Sequence, residues 1–244
     1  MPFSIVIPAL NEEKYLPILL RSIAETGIDG LDVIVVDGKS DDRTQDVVRT
    51  FAEEHRERFS TRVLECEKRN VATQRNLGAS NATYETVVFL DADTHIPNRE
   101  TLQALVDGFY AEQCAAASCR FRPIKRHPLA RLYYWTLYRF HKFQERRRPY
   151  AMGAFIITKK EVFDRVGGFD ETIRVNEDAY FVEQASKHGP FRIFPQHINV
   201  STRRFDKDGY FKMGLRYVRL WADRTFRGEL RDDRIEYKFG HYDS

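Results

Sequence analysis

Two carboxylates separated by one small residue, Asp91-Ala92-Asp93, stand directly behind a short apolar run, Thr86 to Leu90. Oxygen ligands in this arrangement suit a hard divalent cation such as Mg²⁺ or Mn²⁺. Such an ion can bridge the two phosphates of a nucleoside diphosphate and neutralise the charge that grows on this leaving group. Alone, D-x-D is common, and the same residues serve equally well as loop caps. Other charged groups fall at comparable places. Asp37 closes a second apolar run, Asp32 to Asp37. Arg203-Arg204 form an adjacent pair that can clamp phosphate oxygens bidentately or simply be solvated. Glu177-Asp178 open a predicted helix, where acids are ordinary first-turn residues. His197 could approach a metal from the region of Arg203, and His95 follows the aspartates closely, but a lone histidine is more often structural.

These residues need elements to position them. The first half alternates short β-branched runs with helical patterns. Strands are predicted over 3–8, 32–37, 61–66 and 86–90. A helix capped by Asn11 follows the first strand, with Leu16, Leu19, Leu20 and Ile23 on one face and Gly27 at its end. A second helix carries Val47, Val48, Phe51 and Ala52, and a third spans Asn70 to Ser80. This alternation predicts an α/β fold with a mostly parallel, doubly wound sheet and helices on both faces. In such sheets ligands bind beyond the carboxyl ends of the strands, where Asp37 and Asp91 lie. The second half reads less regularly: strands at 114–121 and 154–158, helices at 128–148, 160–166 and from Glu177 to about Lys187, and an amphipathic tail from Tyr210. No repeat or low-complexity linker interrupts the chain. One domain over 1–244 is expected, divided into 1–112, 113–205 and a helical tail, 206–244.

The 244 residues are 42% hydrophobic and 31% charged, ordinary for a globular protein. Cys66, Cys114 and Cys119 fit neither a disulfide framework nor a zinc pattern. The net charge is +3, yet residues 120–150 alone hold ten Lys/Arg against the single acid Glu145. A basic segment on an otherwise acidic body points to an anionic partner. Aromatic residues interleave with these charges, and Leu129, Leu132, Leu137, Phe140 and Phe143 recur at helical spacing. That pattern suits either an interfacial helix on anionic lipid or an apolar stripe packed on the sheet with its arginines solvated. The N-terminus has no leader pattern, and no stretch reaches the roughly 18 apolar residues of a membrane span. The expectation is a cytoplasmic protein, peripheral at the inner face of the membrane through 120–150, with no nucleic-acid partner.

The motifs also occur in a fixed order. An apolar strand enters Pro8-Ala9-Leu10-Asn11-Glu12, and Val36-Asp37-Gly38-Lys39-Ser40-Asp41-Asp42-Arg43-Thr44 follows. Next come Arg75-Asn76-Leu77-Gly78 and Asp91-Ala92-Asp93. Gly153-Ala154-Phe155, Gly167-Gly168-Phe169-Asp170-Glu171 and Asn176-Glu177-Asp178 complete the set. This series resembles the inverting family 2 glycosyltransferases and their GT-A, nucleotide-diphospho-sugar fold, over roughly residues 3–205. The resemblance implies a metal-dependent enzyme using a UDP- or GDP-linked sugar. By it, Asp37 would accept the base's ring N–H, with Glu12, Asn11, Ser40 and the Pro8–Ala9 backbone near base and ribose. Arg75 would reach the nucleotide, Asp93 would hold the metal, and Asp91 would contact ribose or metal-bound water. Arg203 and Arg204 would close over the diphosphate. Asp178 would be the general base and Glu177 its companion, orienting the acceptor or capping the helix.

A carboxylate base makes chemical sense for a hydroxyl acceptor, which is a poor nucleophile at neutral pH. An anionic polyprenyl phosphate needs no base, so the pair favours a hydroxyl over that alternative. A non-catalytic nucleotide-sugar-binding module would not need Asp91, Asp93 and Asp178 together. Phosphatases that use D-x-D normally place it at their first strand. The chain lacks both the G-x-x-x-x-G-K-[ST] phosphate loop and the G-x-G-x-x-G dinucleotide fingerprint. The Q-x-x-R-W motif of processive polysaccharide synthases is also absent.

Overall fold

A computed structural model describes residues 2–125 and 127–231. In chain order the elements are β1 (Ser4–Ala9), α1 (Leu16–Glu25), β2 (Leu31–Asp37), α2 (Thr44–Glu54), β3 (Phe59–Glu65), α3 (Val71–Ser80) and β4 (Thr86–Leu90). There follow β5 (Thr94–His95), α4 (Arg99–Ala111), β6 (Ala116–Pro123), α5 (Pro128–Gln144), β7 (Phe155–Lys159), α6 (Lys160–Val166), α7 (Glu177–Ala185), β8 (Phe191–Val200), α8 (Arg203–Asp208) and α9 (Tyr210–Arg227). Arg126 of the basic segment and residues 232–244 of the expected tail lie outside the described residues.

The eight strands form one mixed sheet in the order β3-β2-β1-β4-β7-β6-β8-β5. The β1–β2, β2–β3, β1–β4 and β6–β8 pairings are parallel, whereas β7 and β5 run against their neighbours. Strands β1, β2 and β4 are buried along their whole length, which is why they read as unbroken apolar runs. Their alternate residues supply two separate cores. Ile5, Ile7, Val33, Val35, Val88 and Leu90 pack with α1, α2 and α4 on one face. Val6, Ile34, Val36, Val87 and Phe89 pack with α3, α6 and α7 on the other. Phe89 anchors an aromatic cluster there, with Phe169 and Phe163 at 5.0 and 5.8 Å between ring centroids.

Two local expectations are corrected. Asn11 does not cap a helix: α1 begins at Leu16, with Pro17 in its first turn. Asn11 instead adopts a left-handed backbone, φ 57°, and joins two loops. Its N–H donates to Ser40 Oγ at 2.9 Å, and its side-chain oxygen accepts from the Asp41 N–H at 2.8 Å. The aromatic stripe of α5 is also rotated from its packed alternative. Ala130, Tyr134 and His141 are buried, while Leu129, Leu132, Trp135, Phe140 and Phe143 are exposed. Tyr133, Leu137 and Tyr138 also pack on the protein, so the helical period is as expected but the large residues are divided between the inner and outer faces.

Helix α3 carries the residues that join the two halves of the molecule. Asn70 caps it by accepting from the Thr73 N–H at 3.1 Å. At Gly78 an added Cβ would lie 2.3 Å from Val6 Cγ1, so the helix can approach β1 only without a side chain there.

Candidate functional site

The site lies at the carboxyl ends of β1, β2 and β4. Ala9 and Asp37 pair in register at the ends of their strands. Gln74, from the buried face of α3, ties these ends together by donating to the Ala9 carbonyl at 2.8 Å and the Val36 carbonyl at 3.1 Å. Asp37 is fully buried. Its carboxylate accepts from Ser40 N–H and Oγ, and from Gln45 Nε2 at 2.8 Å.

One residue farther along α3, Arg75 reaches from the strand ends to the start of α7. Its guanidinium, only 2% exposed, donates to Asp91 Oδ1 at 2.8 Å and Glu177 Oε1 at 2.7 Å. It also stands 5.2 Å above the Phe169 ring. The two carboxylates hold the Arg75 charge firmly on despite its burial. Gly153 lies against the same guanidinium, and a Cβ there would fall 2.0 Å from Nη2. The neighbouring Asn76 grips the segment between α6 and α7 separately. Its amide donates to the Phe169 carbonyl at 2.9 Å and accepts from the Phe169 N–H at 2.8 Å.

Asp93 faces a different cation. Strand β5 pairs with β8, so the chain leaving β8 passes over the aspartates, and the Ser201 N–H donates to the Asp93 carbonyl at 3.1 Å. Arg203 follows, with Nε 3.1 Å from Asp93 Oδ2 and both terminal nitrogens on the Glu12 carboxylate. Its guanidinium stacks 4.5 Å from the Tyr15 ring. Burial raises the Asp93 carboxyl above its ordinary range, partly offset by Arg203 and Arg204. With Arg203 in this position the cleft between Pro8, Ala9, Glu12, Gln74 and Asp93 has a volume of about 30 Å³.

A second cavity, of about 110 Å³, opens between Tyr150, Gly153, Arg174, Asp178 and Tyr217. Asp178 is partly buried at the start of α7, where it accepts from the backbone N–H of Gly153 and, at 2.7 Å, of Ala179. Burial, reinforced by the adjacent Glu177 carboxylate, pushes its carboxyl up to about 7. Asp91 and Arg204 line both this cavity and the cleft at Asp93, so the two spaces meet at those residues.

Of the residues picked from the sequence, Pro8, Ala9, Glu12, Asp91, Ala92, Asp93, Arg203 and Arg204 line the first cleft. Arg75, Glu177 and Asp178 line the second cavity. Asn11, Asp37 and Ser40 line neither and instead support the walls. Glu177 is occupied by Arg75 and makes no capping hydrogen bond. His197 and His95 lie elsewhere, in a cavity beside β6 and α5. Sequence reasoning misses Gln74, Tyr15, Tyr150 and Arg174. Only Gln74 carries a sequence signal, since it directly precedes the Arg75-Asn76 motif.

Among the described residues no group of three or more His, Cys, Asp or Glu side chains could hold a metal by itself. Asp91 and Asp93 do supply hard oxygen donors at the junction of the two spaces. Two carboxylates fit an ion that is completed by substrate phosphates, the usual mode for Mg²⁺.

The mixed, mostly parallel sheet flanked by helices, with its site at the strand ends, is the GT-A type of α/β fold. The glycosyl transferase family 2 profile matches residues 4–167, and the chain belongs to that family. Over 111 residues it is 32% identical to a 4,4'-diaponeurosporenoate glycosyltransferase of Staphylococcus haemolyticus, covering 45% of this chain and 29% of that protein. Over 119 residues it is 34% identical to the poly(ribitol-phosphate) beta-N-acetylglucosaminyltransferase TarS of Staphylococcus aureus, covering 46% and 20%. The chain therefore spans less than a third of the length of either relative. Among solved structures, the mannosyltransferase PcManGT of Pyrobaculum calidifontis, in complex with GDP-Man and Mn²⁺, superposes with a TM-score of 0.65. That likeness has 23% identity and covers 88% of this chain and 64% of the other. TarS 1-349 in complex with UDP-GlcNAc superposes at 0.66, with 21% identity over 83% and 59%.

Removing Arg75 leaves the buried Glu177 and the Asp91 carboxylate uncompensated. Arg75→Ala is expected to lower stability by about 3–5 kcal/mol, and adding Glu177→Gln to recover part of that loss. Urea unfolding of the two single variants and the double variant measures this coupling. Simple additivity would show that the ion pair contributes nothing.

Proposed function

We propose that this chain is one catalytic domain over residues 1–244, moving a sugar from a nucleoside-diphosphate donor to an acceptor hydroxyl with inversion at the anomeric carbon. Its parts are a nucleotide-sugar half, 1–112, an acceptor half, 113–205, and the tail, 206–244. The observation that carries this reading is the meeting of two spaces at Asp91 and Arg204, with Asp93 on one side and Asp178 on the other. Family membership supports sugar transfer, and the relatives bound to GDP-Man and UDP-GlcNAc support a GDP- or UDP-linked donor.

In this mechanism the Pro8–Ala9 backbone and Glu12 form the base and ribose wall, braced from behind by Asn11, Asp37 and Ser40. Arg203 turns from Glu12 and Asp93 to the diphosphate, and Arg204 joins it. Asp93, with Asp91, would hold Mg²⁺ or Mn²⁺, which supplies charge neutralisation on the departing diphosphate. The complex of PcManGT with Mn²⁺ supports that choice. Arg75 keeps Asp91 and Glu177 fixed. Asp178 takes the proton of the acceptor hydroxyl as its oxygen bonds to the anomeric carbon and the bond to the diphosphate breaks. The two backbone N–H groups on Asp178 orient it for this step.

We also propose that α5 and α9 rest on an anionic membrane surface. No helix among the described residues is long and apolar enough to cross a membrane. Yet of the eleven large apolar side chains exposed there, nine lie on these two helices, among them Phe143, Phe211, Leu215 and Phe226. The helices touch through Phe140 and Trp221, 5.7 Å apart, and carry Arg139, Lys212 and Arg219 beside the apolar residues.

Four measurements test these assignments. Asp178→Asn is expected to bind donor normally and lose about 10²–10⁴-fold in transfer; near-normal turnover would remove it as the base. A base acts ionised, so wild-type transfer should rise with pH through about 7 and then level. Glu177→Gln removes a neighbouring negative charge and should move that rise to lower pH. Asp93→Ala should make donor affinity the same with Mn²⁺ as with chelator, measured by calorimetric titration; a retained metal response would exclude Asp93 as a ligand. Flotation should carry the protein with anionic but not neutral vesicles, and Phe143→Ser with Phe226→Ser should abolish it. Equal flotation of that double variant would refute the membrane contact.

A further inference from the structure

A third cavity bordered by the described residues is larger than either of the two that meet at Asp91. It has a volume of about 900 Å³, lies between β6, β8 and α5, and shares no lining residue with the donor or acceptor spaces. This is within the range of ligand pockets, about 300–1,000 Å³.

Its polar wall is all cationic or neutral. Arg120 and Arg122 project from β6 and Arg131 from α5, with His95, His197 and Asn199 beside them, and no carboxylate lines the space. None of the three arginines has a carboxylate partner among the described residues. The buried Arg120 Nε has no hydrogen-bond partner, and its guanidinium lies 5.6 Å from the Tyr138 ring. Among the described residues Arg122 meets His197, with Nη1 3.3 Å from Nε2. Burial lowers the Arg122 and His197 pKa values, and the neighbouring arginines lower them further. This is uncompensated positive charge at a partly desolvated site, and an anion there would relieve it. Planar guanidiniums match the oxygens of a phosphate bidentately.

The other wall is aliphatic. Ile18, Ile124, Leu132 and Trp135 line it, each about half exposed. Phe121 and Tyr134 also line the cavity but are buried, so Trp135 is the one well-exposed aromatic ring among the described lining residues, short of the series on which successive bases stack. The wall does match a hydrocarbon chain, and Leu132 and Trp135 continue directly onto the exposed face of α5. Tyr134 closes the inner end of the cavity, and its phenol is near enough to Asp93 and Arg204 to feel their charges. The cavity thus backs onto the donor cleft without opening into it.

We propose that this cavity binds the phosphate head of an anionic amphiphile, with Arg120, Arg122 and Arg131 on the phosphate and the chain leaving over Leu132 and Trp135. The site stands apart from the transfer machinery. Trp135 is one of two tryptophans in the chain, so a Trp221→Phe background makes it a local reporter. Dihexanoyl phosphatidic acid, titrated below its micelle concentration and without sugar nucleotide, should produce a saturable change in Trp135 emission. Arg122→Ala and Arg131→Ala should each weaken binding at least tenfold while leaving the far-UV dichroism unchanged. Dihexanoyl glycerol and inorganic phosphate should each bind at least tenfold more weakly than the phosphatidate. Equal binding of the uncharged glyceride, or no effect of the arginine changes, would overturn the phosphate site. Inorganic phosphate binding as tightly as the amphiphile would overturn the role of the aliphatic wall. Attachment to phosphatidate vesicles without monomer binding would leave only a membrane surface and refute the pocket. Because no sugar is present, these outcomes are independent of whether the chain transfers one.

Discussion

The architecture of the site depends on one buried cation. Asp91 comes from the end of β4 and Glu177 from the start of α7, and their carboxylates would repel if brought together alone. Arg75 lies between them and makes their proximity favourable. Three near-adjacent positions of α3 then do different physical work. Arg75 neutralises, Asn76 hydrogen-bonds both backbone groups of Phe169, and Gly78 lets the helix sit against Val6. A short motif can therefore hold two halves of a molecule in register without contributing to the chemistry itself.

A second cation governs the other side. Glu12 and Asp93 would leave a concentration of negative charge in a narrow cleft, which is costly where water is scarce. Arg203 spans both and stacks on Tyr15, so the closed cleft is close to electrically balanced. Arg203 is brought there by the pairing of β5 with β8, two elements distant in sequence from Glu12. Strand β8 also supplies Phe194, Ile198 and Val200 to one core and Phe191 and Ile193 to the other, so the segment beyond it starts from a firmly packed strand.

Much of this is legible in the sequence because the central strands are buried on both faces and leave unbroken apolar runs. Positions such as Asp37 and Asp91 can be located at strand ends from that pattern alone. The direction in which the charged side chains turn cannot be read in the same way. Asp37 sits at the expected place, yet its oxygens are taken by Ser40 and Gln45. Arg75, expected at the nucleotide, stands between two carboxylates. Asn11 looks like a helix cap because an Asn before two acids usually is one, but Pro17 sets the helix start five residues later. The phase of α5 is hidden for a related reason: its large aromatic residues mark a periodic face, and periodicity does not say whether that face meets protein or something outside it. Tyr150 and Arg174 belong to irregular segments with no local pattern to read.

Strand β7 runs against β4, and Leu90 pairs with Phe155. The end of one strand is thereby fixed beside the beginning of the other, so Asp91 and Gly153 stay neighbours although they are far apart in sequence. Of the chain between these two points, β5 and β6 return to the same sheet and α4 packs into its core, whereas α5 turns Leu129, Leu132, Trp135 and Phe143 outward. A change of surface confined to that outer side of α5 would leave the junction in place. The fold thus keeps the neighbourhood of Asp91 and Gly153 separate from the face it presents to its surroundings.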